Sequence, residues 1–153
     1  MRVGELLQAK SPRVFTVDAT ADVGTAARLL MAHTIGGLPV VAVGGELVGF
    51  VAERDIVRIV DSNPGVIRDL PVERIMRRPA PTCTGDDTLA HLMERMTRDR
   101  LRHVVVVDGA RIAGVVSVGD LIKHRLTELT TETGVLRDYV AGRRAMPESH
   151  TGR

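Results

Sequence analysis

The chain has 153 residues, room for one domain or two very small ones, and its 44% apolar and 26% charged residues are those of a globular protein. Aromatic residues amount to 2% (Phe15, Phe50 and Tyr139, with no tryptophan), so the core is expected to be aliphatic, and a base-stacking platform for single-stranded nucleic acid is disfavoured. A formal net charge of +2 is too small for bulk polyanion binding, although a pI near 9.2 leaves room for a local basic site.

Met1 to Lys10 lacks the apolar stretch of a secretory signal, and no run further on is long enough to cross a bilayer; a cytoplasmic protein is expected. Leu6-Leu7 reads as a lead-in segment. A strand is expected near Thr16-Val17, followed by an amphipathic helix with Val23, Ala26, Ala27 and Leu30 at helical spacing on one face. Leu38-Pro39-Val40-Val41 is a buried strand, Val43-Gly44-Gly45-Glu46 a hairpin turn, and Leu47–Val51 the return strand, which runs directly into a helix at Glu53–Val57. Gly36-Gly37 reads as a further turn. The cluster Asp61-Ser62-Asn63-Pro64-Gly65 starts a link.

The same order then recurs. Ile75-Met76 resembles Leu6-Leu7, and Thr82–Leu89 overlies Thr16–Val23 at an offset of about 66, which places Leu89, Leu92, Met93 and Met96 on a second helix face. Val104–Val107 is the second buried strand and Asp108-Gly109-Ala110 its turn. One residue is lost there, and Ile112–Val116 returns into a helix opening at Val118-Gly119-Asp120-Leu121. Cys83, the only cysteine, excludes an intrachain disulfide and a cysteine-rich zinc cage, and is expected to be buried and unreactive. Each copy is too small to stand comfortably alone, so the two are expected to pack together and leave related clefts along the seam. Beyond the second copy, Ile122, Leu126, Leu129, Thr133, Leu136 and Val140 form a coiled-coil-like seam on a helix expected to reach about Val140, a face that either packs back on the same chain or makes a dimer contact. From Arg143 on the composition is polar and fraying is expected.

Two segments in register, Gly49-Phe50-Val51-Ala52-Glu53-Arg54-Asp55-Ile56 and Gly114-Val115-Val116-Ser117-Val118-Gly119-Asp120-Leu121, each behind the same strand and hairpin, resemble the cystathionine-β-synthase (CBS) domain pair, or Bateman module. The resemblance implies an α/β (α+β) fold of two tandem repeats, residues 1–62 and 63–125, with a helical extension and polar tail over 126–153. It implies a stand-alone regulatory module, not an enzyme, that binds AMP, ADP, ATP or NAD between the repeats. Asp55 and Asp120 would hold ribose hydroxyls, since a carboxylate accepts from two vicinal hydroxyls at once. Ser117 would reach the ribose or phosphate, whereas its counterpart Ala52 departs from the pattern. Gly37 and Leu38 (with Gly36) and Arg102, His103 and Val104 would line the adenine and phosphate region, with Arg54 and Arg77 as further contacts. A homodimer and a downstream protein partner are implied, with no membrane and no catalytic or metal residues.

Other readings of these residues stand beside it. Ser117 with Asp120 is equally a helix capping box, and an acid in the first turn of a helix, as at Asp55, is favoured by the helix dipole. Arg95 and Arg98 read as a solvated helix face, whereas Arg100 and Arg102 fall at the mouth of the expected cleft. His33, His91, His124 and His150 show no ligand spacing. The alternatives are a structural dimerisation module with degenerate sites and, less favoured by the modest charge, a nucleic-acid binder.

Overall fold

The computed structural model describes residues 1–63 and 65–144. These fall in two compact units, Met1–Val118 and the described part of Gly119–Arg153. The first contains α1 (Val3–Ala9), β1 (Val17–Asp18), α2 (Val23–His33), β2 (Gly37–Val41), β3 (Leu47–Ala52) and α3 (Glu53–Ser62). After a 3-10 turn at Val72–Arg74 come β4 (Thr82–Thr84), α4 (Leu89–Arg98), β5 (His103–Asp108) and β6 (Arg111–Ser117). The mixed α/β repeat expected from the sequence is therefore present twice.

Each repeat holds a three-stranded sheet, β1-β2-β3 or β4-β5-β6, in which the first pair is parallel and the second an antiparallel hairpin. The likeness extends to irregularities. Each hairpin carries a bulge, between Val40 and Val41 and between Val106 and Val107, and each turn has a glycine at positive φ, Gly45 at 86° and Gly109 at 59°. The helices start on side-chain caps: Asp22 accepts the Thr25 N–H at 2.7 Å, and Thr88 accepts the His91 N–H at 3.2 Å. The Thr25 hydrogen bonds hold the Asp22 carboxyl below its usual 3.8. Both helices stop alike, with Ile35 N–H bonded to Leu30 O and Leu101 N–H to Met96 O. The residue that turns the chain there is normally glycine; here it is Thr34 (φ 51°) and Arg100 (φ 54°).

The core is aliphatic, as the composition requires. Val17, Ala26, Leu30, Leu38, Val40 and Val51 form one buried cluster, and they are joined by Val72 from the link between the copies. That membership exposes an exchange. Residues 66–77 form a strap that lies on the first repeat: Val23 N–H donates to Leu70 O at 2.8 Å, and Val72 N–H to Ala21 O at 2.8 Å. The N-terminal strap lies on the second repeat by the same bonds, Leu89 N–H to Met1 O at 3.1 Å and Val3 N–H to Asp87 O at 2.9 Å. The lead-in that precedes each copy in sequence thus packs on the other copy. Leu7 comes to rest over Gly114, and Met76 over Gly49, where an added Cβ would meet the Met76 sulfur at 2.5 Å.

Gly36 and Gly37, read as a turn, are not one. Gly37 opens β2, and neither residue is at positive φ. The glycine at 37 is required because the Phe50 ring occupies the place of a side chain, 2.4 Å from an ideal Cβ. Cys83 is buried, and desolvation with the nearby Asp87 charge pushes its thiol from 9.0 up to about 11.

The second unit is essentially α5 (Val118–Arg144), four residues longer than the seam predicted. Thr127, Thr130, Thr131 and Thr133 each return their hydroxyl to the carbonyl four residues earlier, which satisfies these polar groups within the helix. Ile122, Leu126, Leu129, Leu136 and Val140 are exposed. The tail expected to fray lies, beyond Arg144, outside the described residues.

Candidate functional site

Where the first repeat meets the second, a cleft of about 340 Å³ opens. The first repeat supplies Gly36, Phe50 and Ala52, then Glu53, Arg54, Asp55 and Arg58 from the start of α3. The second strap adds Ile75, Met76 and Arg77, and the second repeat Pro81, Arg100, Arg102 and His103. The site is therefore composed from three stretches far apart in sequence.

Local folding explains the placement of each group. β3 runs into α3 without a loop, so Asp55 falls in the first turn, where the helix dipole favours an acid. Its Oδ2 accepts the Ala52 N–H at 2.8 Å, the acidic half of a capping box whose other half Ala52 cannot supply. Its Oδ1 faces Arg58 Nη1 at 3.4 Å, and the side chain is 15% exposed. Asp55 thus has a structural job that the sequence reading assigned only to the helix dipole. Arg77 is pinned by its main chain, which accepts the Phe50 N–H at 3.0 Å and donates to Phe50 O at 2.7 Å. His103, half-buried, lies against Phe50 with ring centroids 5.3 Å apart and fills the space a side chain at Gly36 would need.

Of the residues singled out from sequence, Asp55, Arg54, Arg77, Arg102 and His103 are brought together in this cleft. Gly37, Leu38 and Val104 do not line it. Leu38 and Val104 are fully buried in β2 and β5, so their side chains belong to the core and only main-chain atoms are left to meet a ligand from those positions. Ser117 closes β6 opposite His103, and Asp120 stands in the first turn of α5. Phe50, Arg58 and Met76 were missed as lining residues. Arg58 was discoverable, one helical turn after Asp55 and on the same face.

The cleft carries five guanidinium groups against two carboxylates, a formal excess of three positive charges in a chain whose total is +2. The basic character is concentrated here. Arg58 is paired with Asp55, while Arg54, Arg77, Arg100 and Arg102 have no ion pair among the described residues. No cluster of three or more histidine, cysteine or acidic residues suited to a metal occurs among the described residues. Among the same residues no helix is long and apolar enough to cross a membrane.

A tandem pair of βαββα repeats clasped by exchanged straps around a charged cleft defines a class of paired-repeat α/β modules. The CBS-domain profile matches residues 3–62 and 72–127, and the chain belongs to that family. A CBS-domain protein, ATU1752 of Agrobacterium tumefaciens, is 36% identical and superposes with a TM-score of 0.77 over 81% of this chain and 92% of its own. The CBS pair of protein MJ0100, solved in complex with 5′-methylthioadenosine and S-adenosyl-L-methionine, is 27% identical with a TM-score of 0.75, over 84% and 98% of the two chains. An uncharacterized 17.7 kDa protein of Acidianus ambivalens is 28% identical over 88% of this chain and 81% of its own length. The mitochondrial CBS-domain protein CBSX3 of Arabidopsis thaliana is 30% identical, and the chain spans 59% of it.

Proposed function

We propose that the chain is a regulatory module that binds an adenosyl nucleotide, of the AMP, ADP, ATP or NAD class, in the cleft between its repeats. The observation that carries this reading is the convergence on one cleft of Asp55, at the start of α3, with Arg102 and His103 from the other repeat. The 5′-methylthioadenosine and S-adenosyl-L-methionine held by the related MJ0100 pair support an adenosyl ligand, and the phosphates are proposed from the arginines of this cleft. Asp55 is assigned to the ribose hydroxyls, with Asp120 and Ser117 as the matching pair of the second repeat. Arg54, Arg77, Arg102 and His103 are assigned to phosphate, and the Gly37-Leu38 and Val104 backbones to the base. Signalling is by population shift: a ligand held by both repeats favours one arrangement over another by no more than its differential affinity. A homodimer through the exposed apolar stripe of α5, in a cytoplasmic protein that acts through a protein partner, completes the proposal.

Isothermal titration of ligand-stripped protein with AMP, ADP, ATP, NAD and S-adenosylmethionine tests the reading. At least one should bind with micromolar affinity, and Asp55→Asn, which keeps an acceptor for the Ala52 N–H, should weaken it about tenfold. Absence of binding by all five to a cooperatively folded protein would favour a structural module with degenerate sites, in which Asp55 serves the helix alone.

A further inference from the structure

Resting on the adenosyl reading, we infer that this cleft ranks ligands by the length of their phosphate chain, taking di- and triphosphates over monophosphates and monophosphates over neutral or cationic adenosyl compounds. The charge balance is the first ground. Four of the five cleft arginines have no acidic partner among the described residues, and they come from both sides: Arg54 from the first repeat, Arg77 from the strap, Arg100 and Arg102 from the second repeat. A single phosphate presents few anionic oxygens to four guanidinium groups, whereas a chain of two or three brings more charge and more acceptors, each arginine offering a planar pair of donors. A sulfonium ligand would instead add positive charge to the existing excess.

The second ground is where Arg100 sits. It occupies the left-handed position that ends α4, at φ 54°, a place that glycine fills without strain. Its counterpart in the first repeat is Thr34, also left-handed at φ 51°. The helix stop therefore works without a guanidinium, and the one at Arg100 is held at a conformational cost where it faces the cleft. Arg102 likewise stands where the first repeat has Gly36. The basic lining belongs to this cleft and is not a by-product of the duplicated fold.

The experiment is calorimetric titration of the full chain with adenosine, AMP, ADP, ATP, S-adenosylmethionine and inorganic tripolyphosphate, in magnesium-free buffer at low and high salt. Affinity should rise at least tenfold from AMP to ATP, and this gain should shrink at 1 M salt, where screening falls to about 3 Å. Tripolyphosphate should compete with ATP. Arg100→Gly, which relieves the strained position, should fold and lower the ATP-to-AMP ratio at least threefold with adenosine binding unchanged; Arg77→Gln makes the same test from the strap. If AMP, ADP and ATP bind equally, or S-adenosylmethionine binds more tightly than ATP, the inference is overturned and the adenosyl reading stands. If tripolyphosphate binds as tightly as ATP, so that the adenosine moiety contributes nothing, the adenosyl reading falls and the phosphate selectivity stands. If none of the six binds, both fall.

Discussion

The close approach of the second strap to Gly49 gives the sharpest quantitative test of the fold. A Cβ at this position would lie 2.5 Å from the Met76 sulfur and 2.8 Å from the Arg77 carbonyl oxygen. Met76 can swing away, but the carbonyl cannot, because it accepts the Phe50 N–H within a two-bond bridge. Gly49→Ala should therefore push the strap off β3. Overpacking costs about 1–3 kcal/mol, and two strained hydrogen bonds add about 0.5–1.5 kcal/mol each, for a total of roughly 2–6 kcal/mol. At this chain length that corresponds to a fall in Tm of roughly 5–20 °C. Gly114→Ala is the internal control, since the new Cβ meets only the flexible end of Leu7, at 2.8 Å, and a rotamer adjustment of about 1 kcal/mol relieves it. Gly44→Ala, with nothing within 4 Å and no left-handed φ, should be neutral or stabilise by about 0.4–1 kcal/mol. Urea midpoints for the three variants provide the measurement. Equal destabilisation by Gly49→Ala and Gly114→Ala would refute the claim that the strap backbone, and not side-chain crowding, sets the cost.

Thr34→Gly should raise stability by about 0.5–1 kcal/mol, because about 1–2 kcal/mol of left-handed strain is relieved against the entropy glycine gives up; thermal melts report it. Thr88→Ala should cost about 1 kcal/mol by removing the cap on the His91 N–H, read from urea midpoints. The Cys83 thiol, at about 11 in the folded chain against 9.0 ordinarily, stabilises the fold below about pH 9, and that contribution is lost as pH rises toward 11. Unfolding at pH 7, 9 and 10.5 should show a flatter alkaline limb in Cys83→Ala than in the parent. If the proposed homodimer forms through the exposed stripe of α5, Leu129→Glu combined with Leu136→Glu should lower the sedimenting mass to that of one chain; a parent that already sediments as a monomer, or an unchanged dimer mass in the variant, would remove this helix as a dimer contact.

The repeat was legible because duplication writes each signal twice: a β-branched run such as Val104–Val107 is ambiguous alone, but Leu38–Val41 at a fixed offset makes it a strand. Asp55, Arg102 and His103 were reachable for the same reason, since motif and register locate them together. The exchange of the straps was not, because Val3, Leu6 and Val72 are apolar whichever repeat they cover. Gly36-Gly37 misled for a related reason. A glycine pair signals a turn only when local conformation is the constraint, and here the constraint is the Phe50 and His103 rings arriving from elsewhere in the chain. Leu38 and Val104 were drawn toward the ligand by resemblance, whereas β2 and β5 give their side chains to the core.

The chain is written in one frame and folded in another. A fragment cut at the sequence repeat, residues 1–62, would carry away the strap that covers the other half and leave its own Val23 and Ala21 without the partners at Leu70 and Val72. A half that includes its own covering segment runs instead from about residue 12 to residue 77, offset by one strap. Joining the present ends and reopening the chain between Lys10 and Val17 would place each covering segment after the half it completes. In such a circular permutant the order of synthesis would match the order of assembly, so that the first half would meet its own covering segment before the second has emerged.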